Sequence, residues 1–232
     1  MNSMLQIDEE TQVDDSIQSY KRFAYLPISG TNLNNANPIV IRVENSDNYF
    51  RPCDSEIEFE GKVVKETGGE VYTKAEALLA LISNGLMYLF DNIKYELSST
   101  EIESVYQPGQ ATTMFGLLTK NNAYNEGGGL NSLWLPDDDD GTAKADNNGY
   151  DTRRKLLFLN NVMAGDAEDP NAGSFRFSVK LEDIFGFATD YRRVMYGFVH
   201  TLTLVRNVNH NDAMFGEADA AAGKVLMQRQ GK

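Results

Sequence analysis

The stretch Phe175-Arg176-Phe177-Ser178-Val179-Lys180-Leu181 carries an apolar side chain at every second residue. Because successive side chains of a β-strand point to opposite faces, this spacing predicts a strand with one buried and one solvated face. Residues 56–64 show the same alternation, with Ile57, Phe59 and Val63 set between charged residues. Strands with one solvated face are typical of antiparallel sheets, so this pattern predicts an antiparallel β fold.

Further strands are predicted on both sides of these two. Residues 39–43 are mostly β-branched and follow Pro38 directly, and residues 194–205 form a long alternating strand or strand pair. The remaining candidates are residues 86–90, 93–97 and 155–159, with a bulge or bend at Asp91 and Asn92.

Only two short helices are predicted. Residues 73–83 begin with Thr73 as N-cap and Glu76 three residues later, followed by the helix formers Ala and Leu. Residues 110–120 place Met114, Phe115, Leu117 and Leu118 on one side of a second helix. Since long helices do not alternate with the strands, the sequence predicts an all-β antiparallel jelly-roll sandwich. We expect about eight strands, with the two helices in long loops.

The chain divides into three predicted regions. Residues 1–36 form an acidic N-terminal arm and the turn that leads into the domain, residues 37–215 form the jelly-roll domain, and residues 216–232 form a C-terminal tail. Residues 121–150 form a long irregular segment in which Trp134 is expected to be at least partly buried as an anchor. Loops of this length inside a compact domain are usually functional, so we predict assembly contacts at Trp134, Asp137, Asp138, Asp139 and Asp140.

The formal net charge of −13 disfavours sequence-independent binding of nucleic acid, because such a surface repels phosphates. Two basic runs, Arg153-Arg154-Lys155 and Arg192-Arg193, are each too short to form a nucleic-acid patch. The single cysteine, Cys53, cannot form an internal disulfide, and no Asn-x-Ser/Thr glycosylation site occurs. Without an apolar run near 20 residues or a secretory leader, the sequence predicts folding inside cells and no membrane span.

Motifs that carry chemistry are absent from the sequence. Gly127-Gly128-Gly129 lacks the third glycine of a dinucleotide site, and no P-loop or nucleophile elbow occurs. The two histidines, His200 and His210, do not show zinc-site spacing, and His200 is expected to serve in packing. We therefore predict no catalytic residue, no cofactor and no metal.

The order of these segments resembles the first jelly roll of the double jelly-roll major capsid proteins of adintoviruses and Polinton (Maverick) elements. Residues 89–97 and 114–118 are similar to segments of that family. Residues 175–213 match it best, through the alternating strand, Asp183-Ile184-Phe185, the strand at 201–207 and the turn at Asn211-Asp212-Ala213. Family members contain two jelly rolls, so the tail would begin a second barrel.

The resemblance implies a structural capsid protein that self-assembles into trimeric or pseudo-hexameric capsomers of an icosahedral shell. Its partners would be other copies and other capsid proteins, without a direct nucleic-acid site. It would be found in the virion capsid, and inside the host cell during assembly. The alternative is a lectin-like binding module that holds a ligand through calcium at Asp137 to Asp140. That run does not fit an EF-hand loop.

Overall fold

The structure is a computed structural model. It describes residues 19–30, 32–35, 37–44, 49–73, 76, 78–138, 142–144, 146–159, 173–217 and 222–228. Most of the predicted N-terminal arm, together with Asp139 and Asp140, therefore lies outside the described residues.

The larger sheet has four antiparallel strands in the order β1-β7-β4-β5. They are β1 (Ile39–Glu44), β7 (Val199–Arg206), β4 (Phe90–Leu97) and β5 (Thr100–Tyr106). In β7 the side chains of His200, Leu202 and Leu204 point into the core, as the alternation predicts. The predicted strand at 194–205 starts later, because Gly197 has a φ of 77° and interrupts the extended backbone.

The smaller sheet has three antiparallel strands in the order β6-β2-β9. They are β6 (Ser174–Lys180), β2 (Glu56–Lys65) and β9 (Gly223–Met227), while β3 (Leu79–Leu81) and β8 (Met214–Gly216) form a separate pair. At the outer edge of β9, the side-chain amide of Asn34 pairs with the main chain of Met227. Its Nδ2 donates to Met227 O at 2.9 Å, and Met227 N donates to Asn34 Oδ1 at 2.6 Å.

The two main sheets pack face to face through their inward side chains. Phe59 of β2 and Phe90 of β4 meet across the interior with ring centroids 5.5 Å apart, and both belong to one continuous core. The predicted all-β antiparallel jelly-roll sandwich is confirmed. Within the described part of the chain it has nine strands, and five α-helices in place of the two expected.

The predicted helix at residues 73–83 is wrong. Its first turn does form the expected capping contact, since Thr73 N and Oγ1 donate to the Glu76 carboxylate at 3.2 and 2.7 Å. Leu79, Ala80 and Leu81, however, form strand β3 and are all buried. The segment pairs with β8 and all three of its side chains are buried. Tertiary packing therefore overrides its helix propensity.

Two of the strands predicted from short apolar runs are wrong as well. Residues 87–89 form a 3₁₀ turn before β4, since Asn84 at a φ of 60° turns the chain there. Residues 155–159 continue helix α4 (Asn148–Arg154) as a π-helical turn, with Leu157 and Phe158 buried. A short apolar run fits a buried helix as well as a strand, and the period alone does not separate them.

Other predictions are confirmed. The register of β4 shifts between Phe90 and Asn92, as a bulge at Asp91-Asn92 requires. The second predicted helix is α1 (Pro108–Thr119). The segment that follows is less irregular than expected, since α2 (Asn122–Glu126) and α3 (Gly128–Asn131) lie within it, and α5 (Gly186–Asp190) follows β6. The predicted tail includes β9, so residues 223–227 belong to the smaller sheet, while the other domain boundaries stay predictions.

Candidate assembly surface

Helix α1 follows β5 directly and turns a face of small residues toward the sandwich. Gln107 adopts a φ of 48°, and its backbone N–H donates to Asp91 O at 2.8 Å, which turns the chain into the helix at Pro108. Gly109, Thr112 and Gly116 are buried on the inner side. A Cβ at Gly109 would lie 2.4 Å from the Tyr88 ring, so only glycine allows this close approach.

The buried side chain of Asn84 fixes α1 to the turn that precedes β4. Its Nδ2 donates to Thr112 Oγ1 at 2.7 Å and to Thr113 Oγ1 at 3.0 Å. Asn84 N also donates to Leu133 O at 2.8 Å, so the same residue holds the chain beyond α3. Since these donors and acceptors satisfy one another inside the protein, α1 is held in a defined position.

Trp134 supports the other half of α1. It is 4% exposed, which confirms the predicted burial, and a Cβ at Gly116 would lie 2.3 Å from its ring. Lys120 Nζ lies 4.8 Å from the centroid of the same ring and 3.2 Å from Asp183 Oδ1. Trp134 is thus covered by α1 of the same chain, and its ring positions this helix.

The outer face of α1 is apolar and exposed. Met114, Leu117 and Leu118 are 68%, 67% and 86% exposed, and Phe115 beside them is 43% exposed. The spacing of Met114, Leu117 and Leu118 makes them neighbours on one helix face, and no charged residue occurs from 104 to 119. An ordinary surface helix buries its large apolar residues, whereas α1 buries its small ones. The large apolar residues of α1 therefore form an exposed patch, and exposed apolar patches mark interaction sites.

The acidic loop is held by two buried side chains that the sequence reasoning missed. Arg153, fully buried, donates from Nη2 to Asp137 Oδ1, from Nε to Leu81 O at 2.8 Å, and from Nη1 to Leu135 O. Asn147 accepts from Asp138 N at 3.2 Å and donates to Thr142 O at 2.9 Å, which joins the two described ends of the loop. The basic run 153–155 is therefore partly internal.

Oδ1 of Asp137 accepts from Arg153 Nη2, so the charge of this carboxylate is already paired inside the protein. Within the residues that the structure describes, no group of three or more His, Cys, Asp or Glu side chains could hold a metal ion. Asp138 is exposed beside this pair, and Asp139 and Asp140 fall outside the described ranges. Calcium binding has no supporting observation in the described loop.

His200 packs inside the sandwich, as predicted. Its Nδ1 lies 2.6 Å from the hydroxyl of Tyr95, and its ring centroid lies 4.3 Å from that of Phe50. Burial lowers the pKa of His200 to about 4 and raises the pKa of Tyr95. Both groups are therefore neutral near pH 7, in keeping with a structural role.

The fold is a jelly-roll sandwich in which helices α1 to α4 lie between strands β5 and β6. A known family of jelly-roll domains matches part of the chain. Residues 152–230 match the model of the double jelly roll-like domain. No curated protein matches the chain. In the described segments, no helix is long and apolar enough to cross a membrane.

The solved structures similar to this chain include three viral capsid proteins or capsids. The mavirus major capsid protein has a TM-score of 0.49 and 7% identity, covering 94% of this chain and 48% of that one. PBCV-1 VP54, fitted into a reconstruction of the virophage Sputnik, has a TM-score of 0.35 and 12% identity over 92% of this chain and 45% of that one. The PBCV-1 capsid model has a TM-score of 0.32 and 15% identity, with the same coverage. The chain spans under half the length of these structures.

Proposed function

We propose that this chain is a structural capsid protein of the double jelly-roll lineage, which assembles with copies of itself and other capsid proteins into trimeric or pseudo-hexameric capsomers of an icosahedral shell. The observation that carries this proposal is the exposed apolar face of α1 on the outside of the sandwich. The match of residues 152–230 to the double jelly roll-like domain supports the lineage.

The α1 face has the physical properties of an assembly contact. Burying a large aliphatic side chain stabilises a complex by about 1.5–3 kcal/mol, so a few such residues contribute substantially when a neighbour covers them. The helix is held from behind by Asn84 and Trp134, so little ordering is needed on association. Closed symmetric assemblies repeat one contact many times, and modest contacts of this kind are then sufficient.

The chain acts, in this proposal, without catalysis. Both histidines are engaged in packing or hydrogen bonding, with His200 against Tyr95 and His210 Nδ1 3.5 Å from Arg206 Nη2. Neither lies with carboxylates in a group that could hold a metal, among the residues described. This arrangement supports a structural protein.

We place the chain, within the lineage, beside the adintovirus and Polinton proteins. The support comes from the order of segments in residues 175–213, including Asp183-Ile184-Phe185 and the turn at Asn211-Asp212-Ala213. In this view residues 37–227, with β9 as one of the strands, form the first of two jelly rolls. The protein would be found in the virion, after assembly inside the host cell.

The test compares two exposed apolar residues. Leu118→Glu places a charge on the α1 face, and Val208→Glu makes the same change at a residue that is 83% exposed elsewhere. Light scattering after size-exclusion chromatography, with negative-stain imaging, measures the oligomer, and thermal melting checks the fold. We expect trimers or larger particles for the wild type and the Val208 variant, and monomers for the Leu118 variant.

Two results would count against the proposal. A wild-type chain that stays monomeric at all concentrations excludes self-assembly. If the Leu118 variant assembles as well as the Val208 variant does, the α1 face is not the contact.

A further inference from the structure

A second exposed surface combines aromatic and basic side chains at the end of the larger sheet where β7 begins. We call it the arginine–tyrosine patch. Tyrosine, phenylalanine and arginine are enriched in protein interfaces and in their hot spots, whereas lysine and carboxylates are depleted there. The patch consists of Tyr49, Arg192, Arg193, Val194, Tyr196 and Phe198, all of them exposed.

The backbone holds this patch in place. Phe50 and Met195 form an antiparallel bridge, with N–H to O distances of 2.8 and 2.7 Å in the two directions. Because alternate side chains of extended backbone face opposite ways, Met195 points inward while Tyr49 and Tyr196 point outward. Their ring centroids lie 5.2 Å apart, so the aromatic part of the patch is ordered by its own contact.

The two arginines of the patch differ from the others in the described chain. Six arginines form ion pairs with carboxylates, whereas Arg192, Arg193 and Arg206 do not, and Arg206 is buried. Arg192 donates from Nε to Thr189 O at 3.3 Å, which leaves its charge unneutralised. A chain of net charge −13 thus presents two adjacent, exposed and unpaired positive charges in the same exposed segment as Tyr196.

We infer that the arginine–tyrosine patch binds an acidic surface of a second copy of this chain. The inference rests on the proposed function and names a second contact, separate from the α1 face. Charge complementarity supports a second copy, because the chain carries 34 acidic against 21 basic residues. Two arginines are too few to hold a phosphate backbone against that net charge, which favours protein over nucleic acid.

The contact must join two different surfaces of the copies. Two identical patches facing each other across a two-fold axis would bring four arginine charges together, which is unfavourable. The patch of one copy therefore meets acidic residues at another place on the next copy. A head-to-tail contact of this kind closes into a ring or continues into an extended array.

The test removes the two charges and compares the variant with one of equal net charge. Arg192→Ala with Arg193→Ala deletes the unpaired cations, and Arg176→Ala with Lys180→Ala deletes two exposed cations from β6 that form ion pairs. Sedimentation velocity over a range of protein and NaCl concentrations measures self-association. We expect the patch variant to associate roughly tenfold more weakly than the β6 variant. The difference should shrink in high salt, where charges are screened.

The outcomes separate this inference from the proposed function. If the wild type assembles and the patch variant assembles as well as the β6 variant, the inference is overturned and the proposed function stands. A monomeric wild type overturns both. If the patch variant loses binding to a single-stranded DNA probe while self-association is unchanged, the patch is a nucleic-acid site and the inference is wrong.

Discussion

At the scale of single residues, the hydrogen-bonded pair of His200 and Tyr95 makes stability depend on pH. Burial lowers the pKa of His200 from 6.5 to about 4, so the unfolded chain binds this proton more readily than the folded one. The part of the folding stability that depends on neutral His200 is therefore fully present above pH 6.5 and is lost as the pH falls toward 4. A pKa shift of this size lowers the free energy of unfolding by an amount on the order of 3 kcal/mol once His200 is protonated.

The variant His200→Gln removes the titrating group and tests this dependence. Urea unfolding at pH 7.5, 5.5 and 4.5 gives the free energy of unfolding for both proteins. We expect the wild type to lose more stability on acidification than the variant, although the variant is less stable at pH 7.5 because packing is disturbed. Parallel pH profiles would show that His200 is not the group responsible.

Gly116 tests the close contact between α1 and Trp134. A Cβ at this residue would lie 2.3 Å from the ring, so Gly116→Ala must displace the helix or the indole, which costs about 1–3 kcal/mol. Since Trp134 is the single tryptophan, its emission should shift to longer wavelength. Gly30→Ala is the control, because no atom lies within 4 Å of a Cβ there. Unchanged emission and stability in both variants would disprove the close packing.

At the scale of elements, Arg153 joins α4, β3 and the acidic loop through its hydrogen bonds to Leu81 O, Leu135 O and Asp137. Replacing Arg153 with Met keeps much of the side-chain volume but leaves buried carbonyl groups unpaired. We expect a loss of about 1.5–3 kcal/mol in the free energy of unfolding, measured in urea. Asp137→Asn, which keeps an acceptor oxygen, should cost less. Equal costs for the two variants would contradict the importance of the carbonyl contacts.

The strands with a period of two are predicted correctly. The strands β2, β6 and β7 alternate between a buried and a wet face, and that alternation has no helical counterpart. Three of the errors fall at 79–81, 87–89 and 155–159, where apolar residues follow one another and most of the described ones are buried. In such runs the partner segment decides the conformation, and the partner is not visible in the local sequence.

The candidate site was predictable only in part. The composition of α1 indicates a helix with large residues on one side, yet it does not say which side faces the sandwich. The signal was present in Gly109, Thr112 and Gly116, whose spacing places small residues on one face where two rings can approach. Arg153 was not predictable as an internal anchor, since its position in a basic run favours the surface.

At the scale of the whole molecule, a strongly acidic chain presents two surfaces of different chemistry. The α1 face is apolar and uncharged, and its association should tolerate salt, because no ion pair is needed there. The arginine–tyrosine patch depends on charge and should weaken as salt increases. Comparing the Leu118→Glu variant with the Arg192→Ala, Arg193→Ala variant over a salt series therefore separates the two contacts.

The side-chain amide of Asn34 occupies the main-chain hydrogen-bonding groups of Met227 at the rim of β9. An unpaired strand rim is a template onto which other chains can add without limit, giving fibrous aggregates. At Met227 the Asn34 amide forms the hydrogen bonds that the backbone of an added strand would otherwise form. Under the proposed capsid function, in which copies build an ordered particle at high local concentration, this contact protects one open strand edge against fibrous growth.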